Sequence, residues 1–290
     1  MELNYNSSSD LDAFLEKEGL GMRKKYGQNF LINADIRSRL VEALEAEAGT
    51  SLWEIGPGLG AMTRLLLDKG LAVLAFEIDA GFAGILRRVF AGDAGFSLIE
   101  GDVMKTWPGQ PASPLLLGNL PYNIAAALIG DMVEKGRLFK RMVVTVQREV
   151  ALRMASRPGC GDYSSFSVLC ASAYTVKKLM LIKRTSFYPR PNVDSQGLRL
   201  DLRPDYQKYP IVFYPLVRRL FSSRRKMIKN NLSVIVASRM GNDAPQKSAD
   251  ALAAHVLAEN ALTGNERAEN LNVEMFARLA QTIEDMRILS

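Results

Sequence analysis

Four short apolar runs, each ending in a glycine or a polar residue, dominate the first half of the chain. Leu52-Trp53-Glu54-Ile55 leads into Gly56-Pro57-Gly58-Leu59-Gly60, and Leu71 to Phe76 ends in Glu77-Ile78-Asp79. Phe96 to Ile99 is closed by Gly101-Asp102-Val103, and Leu115-Leu116-Leu117 delivers Asn119-Leu120-Pro121-Tyr122. Between the runs, Met62, Leu65 and Leu66, then Phe82, Ile85, Leu86 and Val89, recur with helical period. Strand-length apolar runs alternating with amphipathic helices specify a parallel sheet with helices on its faces. The carboxyl ends of such strands share one edge, where open α/β sheets bind ligands. Gly56 and Gly58, Glu77, Asp102 and Asn119 therefore belong to one rim, each contributed by a different strand. Met142 to Val146 reads as a fifth strand, and Thr175 to Ile182 and Ser195 to Leu202 as two more.

Each rim residue has an ordinary reading by itself. Asn and Pro favour turns, and a strand-end carboxylate is often only solvated. A glycine-rich turn is a weak signal, and this one is neither the dinucleotide fingerprint nor a phosphate loop, since no Lys-Ser or Lys-Thr follows it. The conjunction carries more weight. A glycine-rich turn between strand and helix lets backbone approach a nucleotide. Glu77, nineteen positions after Gly58, is placed to accept hydrogen bonds from both hydroxyls of a ribose. Asp102 is placed to accept from an adenine amine. The Asn119 oxygen and a neighbouring carbonyl can accept both hydrogens of an exocyclic amine, while Pro121 stiffens the turn and the Tyr122 ring can stack on a flat base.

Composition narrows the partners. The 48% hydrophobic and 23% charged residues are those of a soluble globular protein, and 290 residues allow one large or two ordinary domains. No apolar run approaches the ~20 residues of a membrane span, and Met1 to Asp10 is polar, without an apolar signal core. A cytoplasmic protein with no membrane partner is expected. Cys160 and Cys170 match no zinc spacing, and the single histidine, His255, lies in an Ala/Leu-rich helical stretch. Histidine-based triads and metal catalysis are therefore not expected. A net charge of +6 and a pI near 9.3 favour a polyanionic partner.

Two basic segments lie outside the strand–helix repeat. Arg23-Lys24-Lys25 precedes Tyr26-Gly27-Gln28-Asn29-Phe30-Leu31, where Gln28 and Asn29 stand beside apolar residues as groups held close to a ligand. After Arg203-Pro204-Asp205 the pattern becomes wholly helical, and Val217 to Lys229 carries six basic residues. Ser222 or Ser223 reads as an N-cap, which puts Arg224, Arg225 and Lys226 in a first helical turn. The macrodipole disfavours cations there, so the cluster makes better sense against phosphate.

Together, Tyr26 to Leu31, Glu54 to Gly60, Glu77-Ile78-Asp79, Gly101-Asp102 and Asn119-Leu120-Pro121-Tyr122-Asn123 resemble the ribosomal RNA adenine N6-dimethyltransferases. The resemblance continues through Gln147-Arg148-Glu149-Val150, Phe187 to Ser195, Arg224-Arg225-Lys226 and Asn230-Asn231-Leu232, and runs from about Tyr26 to about Leu279. It is closest to the branch that acts on small-subunit (16S) rRNA. One departure is Tyr163-Ser164-Ser165-Phe166, where the family pattern has Tyr-Gly-Arg-Leu.

The resemblance implies an α/β, Rossmann-like S-adenosylmethionine-dependent methyltransferase domain over residues 1–203, with 1–20 as an N-terminal extension, and a helical RNA-binding domain over 204–290. It implies dimethylation of the N6 amines of two adjacent adenosines in 16S rRNA, within a pre-small-subunit particle, by a monomer. Asn119, Leu120, Pro121, Tyr122 and Phe187 would form the catalytic set, with Phe187 facing Tyr122 across the target base. Gln28, Asn29, Leu31, Gly56, Gly58, Glu77, Ile78, Asp102, Val103 and Asn119 would hold S-adenosylmethionine. Arg23, Lys24, Lys25, Arg148, Arg218, Arg219, Arg224, Arg225, Lys226 and Lys229 would meet RNA. Two other readings stand beside it: an erythromycin-resistance type of 23S rRNA methylase, and a ribosome-assembly factor that keeps the fold without catalysis.

Overall fold

The computed structural model describes residues 3–22, 27–121, 124–224, 226–240 and 246–286. Arg23, Lys24, Lys25, Tyr26, Tyr122, Asn123 and Arg225 lie outside the described residues. The chain divides into two compact units. The first comprises Met1–Ala151 and Tyr174–Leu202, the second Leu152–Ala173 and Arg203–Ser290. A single boundary near 203 is thus too simple. The chain leaves the first unit after Ala151, contributes residues 152–173 to the second, and returns for three strands.

The first unit begins with helix α1 (Ser8–Lys17), then a two-residue strand β1 (Phe30–Leu31) and α2 (Ala34–Glu42). The repeat read from the sequence follows as β2 (Ser51–Ile55), α3 (Ala61–Asp68), β3 (Ala72–Glu77), α4 (Ala80–Val89), β4 (Phe96–Glu100), α5 (Val103–Thr106), β5 (Leu115–Asn119), α6 (Ala125–Glu134) and β6 (Arg141–Gln147). Helix α7 (Arg148–Met154) and α8 (Ser165–Ala173) come before β7 (Tyr174–Ile182), β8 (Phe187–Tyr188) and β9 (Ser195–Leu202). The main sheet has the order β4-β3-β2-β5-β6-β9-β7. Its first five strands are parallel, and β9 and β7 add antiparallel. The central runs are apolar on both faces because helices cover both. Trp53, Leu116, Leu117, Val143 and Val144 are buried accordingly.

Residues 3–20 are more than an appended extension. Ser7 caps α1, its Oγ accepting from the Asp10 N–H at 3.2 Å. Leu11 and Leu15, one helical turn apart, are buried against Leu59, Phe82 and Ile85. The Tyr5 hydroxyl donates to the Leu59 carbonyl at 3.1 Å. The loop expected over Phe187 to Pro191 instead begins with a short ribbon, β8 pairing antiparallel with β1. Two residues are too short a run for an alternation signal.

The second unit is helical: α8, then α9 (Phe213–Phe221), α10 (Ile228–Met240), α11 (Gln246–Glu259) and α12 (Val273–Asp285). Phe213, Leu216, Leu220, Leu232, Val256, Phe276, Leu279 and Ile283 form its core. Tyr163, in the departing tetrapeptide, is buried there and donates to the Leu271 carbonyl at 2.8 Å. Cys160 and Cys170 are both free thiols. Among the described residues, no helix is long and apolar enough to cross a membrane, and no cluster of acidic, His and Cys side chains could hold a metal ion.

Candidate active site

The site is built at the carboxyl edge of β2, β3, β4 and β5. After β2 the chain turns through Gly56 and Gly58 at φ 69° and 60°, conformations that favour glycine. A Cβ on Gly58 would lie 2.9 Å from the Phe30 ring. Strand β1 therefore packs directly on the glycine turn, and a side chain at Gly58 would push it away.

Glu77 closes β3 with its carboxylate folded back. Oε2 accepts from the Gly58 N–H at 3.1 Å and Oε1 from the Asp79 N–H at 2.9 Å. The side chain is only 4% exposed. Burial pushes its pKa up to about 7, and the two backbone donors only partly oppose this. Glu54, one strand over, is fully buried; Thr63 Oγ1 donates to its Oε2 at 2.7 Å while Oε1 has no partner. Burial, with the Glu77 charge nearby, raises its pKa to about 7 as well.

The stability consequence has a definite sign. Both carboxyls titrate near 7 when folded, against an ordinary 4.5, so between these values the native state binds more protons than the unfolded chain. Their stabilising protonation is fully present below about pH 4.5 and is lost as pH rises through about 7. The melting temperature of the ligand-free protein is expected to fall from about pH 5.5 to 8 by more than that of the Glu54→Gln/Glu77→Gln variant. Parallel melting curves for the two proteins would remove this account.

Neighbouring side chains fix the rest of the rim. Asp79 caps α4 through Oδ1, which accepts from the Gly81 N–H at 2.9 Å, and its Oδ2 accepts from Gln28 Nε2 at 3.2 Å. Asp102 caps α5, Oδ1 accepting from the Met104 N–H at 3.0 Å. Asn119 ends β5, and its Nδ2 donates to the Asn29 carbonyl at 2.8 Å. That bond orients the amide, leaving Oδ1 as its available acceptor. Leu120 is held by its N–H to the Thr145 carbonyl at 3.0 Å, and the Pro121 carbonyl accepts from Ile124 and Ala125 to open α6.

These groups surround one cavity of about 310 Å³. Of the residues expected at the cofactor, Gln28, Asn29, Gly56, Gly58, Glu77, Ile78, Asp102, Val103 and Asn119 line it, and so do Leu120 and Pro121. Phe82, Met104 and Ile124 are among the remaining wall residues and carry no polar signature by which a sequence reading could find them. Leu31 is absent from this wall but lines a smaller recess that shares Asn29, Gly56, Gly58 and Asn119. The arrangement offers a buried carboxylate for a pair of hydroxyls, an apolar slot beside Ile78 and Val103 for a flat ring, and an amide acceptor.

Phe187 stands apart from the other expected site residues. It is 3% exposed, packs with Leu31, Leu40 and Ile182, and does not line the cavity. Pairing of β8 with β1 holds this side chain in the apolar cluster beneath the rim.

The basic segment also differs from its sequence reading. Ser222 is the C-cap of α9, and the next helix starts only at Ile228. Arg224 and Lys226 thus precede that helix, and the argument from an opposing macrodipole does not hold. Arg218 and Arg219 occupy the last turn of α9, where the dipole favours cations. Arg224 is partly covered, its Nε donating to Glu269 at 2.8 Å. Arg218, Arg219, Lys226 and Lys229 are exposed in the second unit, and Arg148, opening α7, is exposed in the first.

Comparison with known proteins follows the same lines. The sequence profile of the family described as ribosomal RNA adenine dimethylase matches residues 19–282. The chain is 43% identical to the ribosomal RNA small subunit methyltransferase A of Treponema denticola, over 97% of this chain and 96% of that one. It is 42% identical to the protein of the same name from Treponema pallidum, over 97% of each. Its fold superposes on the crystal structure of a dimethyladenosine transferase from Plasmodium falciparum with a TM-score of 0.74, at 24% identity, covering 87% of this chain and 96% of that one.

Proposed function

From a chain that belongs to the ribosomal RNA adenine dimethylase family, we infer an S-adenosylmethionine-dependent enzyme that dimethylates adenosine N6 amines in small-subunit rRNA. The observation that carries the chemistry is the Asn119 amide, locked by the Asn29 carbonyl at 2.8 Å on the wall of a cavity that also holds Glu77. We place the RNA in a pre-small-subunit particle in the cytoplasm, two adjacent adenosines as the targets, and a monomer as the acting form.

The residues present fit the cofactor. A cavity of about 310 Å³ lies at the small end of the ~300–1,000 Å³ usual for small-molecule sites. Glu77 is an acceptor-only group when ionised and so suits two ribose hydroxyls. The leftover Asp102 oxygen suits the adenine amine, with Ile78 and Val103 against the ring faces. Gly56 and Gly58 admit the remainder along the backbone, and Gln28, Asn29 and Leu31 flank the amino-acid end. When bound, S-adenosylmethionine supplies a methyl group already activated on a sulfonium.

The protein's task is positioning. An adenine amine is a poor nucleophile because its lone pair is delocalised into the ring. Asn119 Oδ1 and the Leu120 carbonyl, as two acceptors, turn the amine so that its lone pair points at the methyl carbon. Pro121 keeps that turn rigid, and Tyr122 is assigned to hold the flipped base. The new N–C bond would replace the methyl–sulfur bond, with S-adenosylhomocysteine as the leaving group, and the amine proton, made acidic as that bond forms, would pass to solvent. No histidine lies among the described cavity residues, and the reaction needs no dedicated base.

The test is incubation with labelled cofactor and under-methylated small subunits, followed by mapping of the modified adenines. N6,N6-dimethyladenine in small-subunit rRNA is expected; label only in 23S rRNA, or none, would overturn the reading.

The second unit, as an RNA-docking domain, gives a further expected result. Replacing exposed Arg218, Arg219 and Lys226 with Gln should flatten the log–log salt dependence of RNA binding by roughly 0.7–0.9 per lost phosphate contact. Cofactor affinity should not move, since these residues lie outside the cavity wall. Identical salt slopes would return this segment to a solvated basic face.

A further inference from the structure

Arg37 is a cation without a counter-ion. It sits on α2, is 5% exposed, and hydrogen-bonds only to neutral acceptors. Nη1 donates to the Leu31 carbonyl at 2.6 Å and to the Tyr5 carbonyl at 3.4 Å, and Nη2 to Asn6 Oδ1 at 2.5 Å. Its Nε is buried with no partner, and among the described residues no carboxylate lies within ion-pair distance. Burying an unpaired charge is costly, by several kcal/mol on general grounds, so the site as it stands is incomplete in charge.

Arg37 also lines the small recess beside the main cavity, together with Tyr5, Asn29, Gly56, Gly58 and Asn119. The recess is about 40 Å³; at ~10–15 Å³ for each water-sized group, it takes about three heavy atoms, the size of a carboxylate. Ala61 and Met62, the first residues of α3, form another part of its wall. Gly60, the N-cap of that helix, supplies no side-chain cap, so the leading N–H groups and the positive end of the helix dipole remain to meet an anion. A buried guanidinium and an uncapped helix start therefore converge on one recess that opens beside Asn119.

We propose that Arg37 is the counter-charge for the α-carboxylate of the cofactor's amino-acid arm, which enters this recess as the reactive sulfur lies near Asn119. The proposal rests on the cofactor reading above and deepens it by adding a residue that sets preference for carboxylate-bearing ligands. It also gives residues 3–20 a role. Tyr5 and Asn6 hold the guanidinium in place, so the N-terminal segment positions the anion site through Arg37.

The experiment compares two ligands on the full-length protein by calorimetry: S-adenosylhomocysteine, and S-adenosyl-3-thiopropylamine, which lacks only the carboxylate. Wild type is expected to prefer the first by at least about tenfold, the lower range for a hydrogen-bonded charge. Arg37→Met should cut affinity for S-adenosylhomocysteine by about that factor while leaving the amine within about twofold, so that the preference collapses; Arg37→Lys should restore part of it. Equal losses for both ligands would mean that Arg37 only braces the loop, and would overturn the proposal. The wild-type ratio is a test that needs no variant: equal affinity for the two ligands overturns it too. Binding of neither ligand by wild type would instead remove the cofactor reading on which the proposal stands.

Discussion

Asn119→Ala is expected to lower the rate of methyl transfer by about two to three orders of magnitude, the usual effect of deleting one preorganised polar group at a reacting centre. Affinity for the cofactor should change only a few-fold. The difference follows from what each end of the amide does. Nδ2 is committed to the Asn29 carbonyl at 2.8 Å, and Oδ1 is the acceptor we propose for the target amine. Removing the side chain leaves the amine with the Leu120 carbonyl alone, and the lone pair is no longer directed. Asn119→Asp tests the orientation itself, because a carboxylate cannot donate to the Asn29 carbonyl and should be nearly as impaired. Single-turnover transfer to under-methylated subunits, with cofactor affinity measured in parallel, separates the two effects. A wild-type rate in either variant would contradict the assignment.

Glu77→Ala should act on the other side of the ledger, on binding. Hydrogen bonds to a charged acceptor contribute ~1.5–3 kcal/mol each, so losing the carboxylate should weaken S-adenosylmethionine between about tenfold and several hundredfold. Part of that loss comes from the turn, because the same carboxylate holds the Gly58 and Asp79 N–H groups. A pH series separates the contributions. Burial raises the Glu77 pKa to about 7, and the protonated acid is a poorer acceptor for two hydroxyls. Cofactor affinity should therefore decline as pH falls through about 7, opposite in sense to the stability of the ligand-free protein. In Glu77→Gln that decline should flatten. Unchanged affinity in a folded Glu77→Ala protein would rule out the ribose assignment.

The strand–helix repeat was legible because apolar runs and helical periods are local signals, and the parallel order follows from how such units pack. Gly56, Glu77, Asp102 and Asn119 were legible as one rim because parallel strands put all their carboxyl ends on the same edge, and they do line one cavity. Even the residue at the centre of the further proposal left a trace. Arg37 stands four and seven positions before Val41 and Leu44, on the apolar face of its helix, where an ordinary surface cation would not be placed.

Other features had no local signal. Phe187 carries no local sign of its burial, and only the pairing of β8 with β1 packs it beside Leu31 and Ile182. Arg224 and Lys226 read as a first helical turn because serine is at home at an N-cap and also just past a C-terminus; the Ser222 hydroxyl instead bonds back to the Arg219 carbonyl at 2.7 Å, and the next helix opens only at Ile228. Residues 152–173 look contiguous with the sheet domain but pack with the second unit, since unit membership depends on long-range contacts. What the sequence by itself determined was the repeat, the rim and the chemistry of its acceptors, all of which depend on neighbours a few residues apart. What only the tertiary structure decided was which groups are buried and what they face. The raised carboxyls of Glu54 and Glu77, the locked amide of Asn119 and the unpaired charge of Arg37 all arise from segments distant in the chain excluding water from one another.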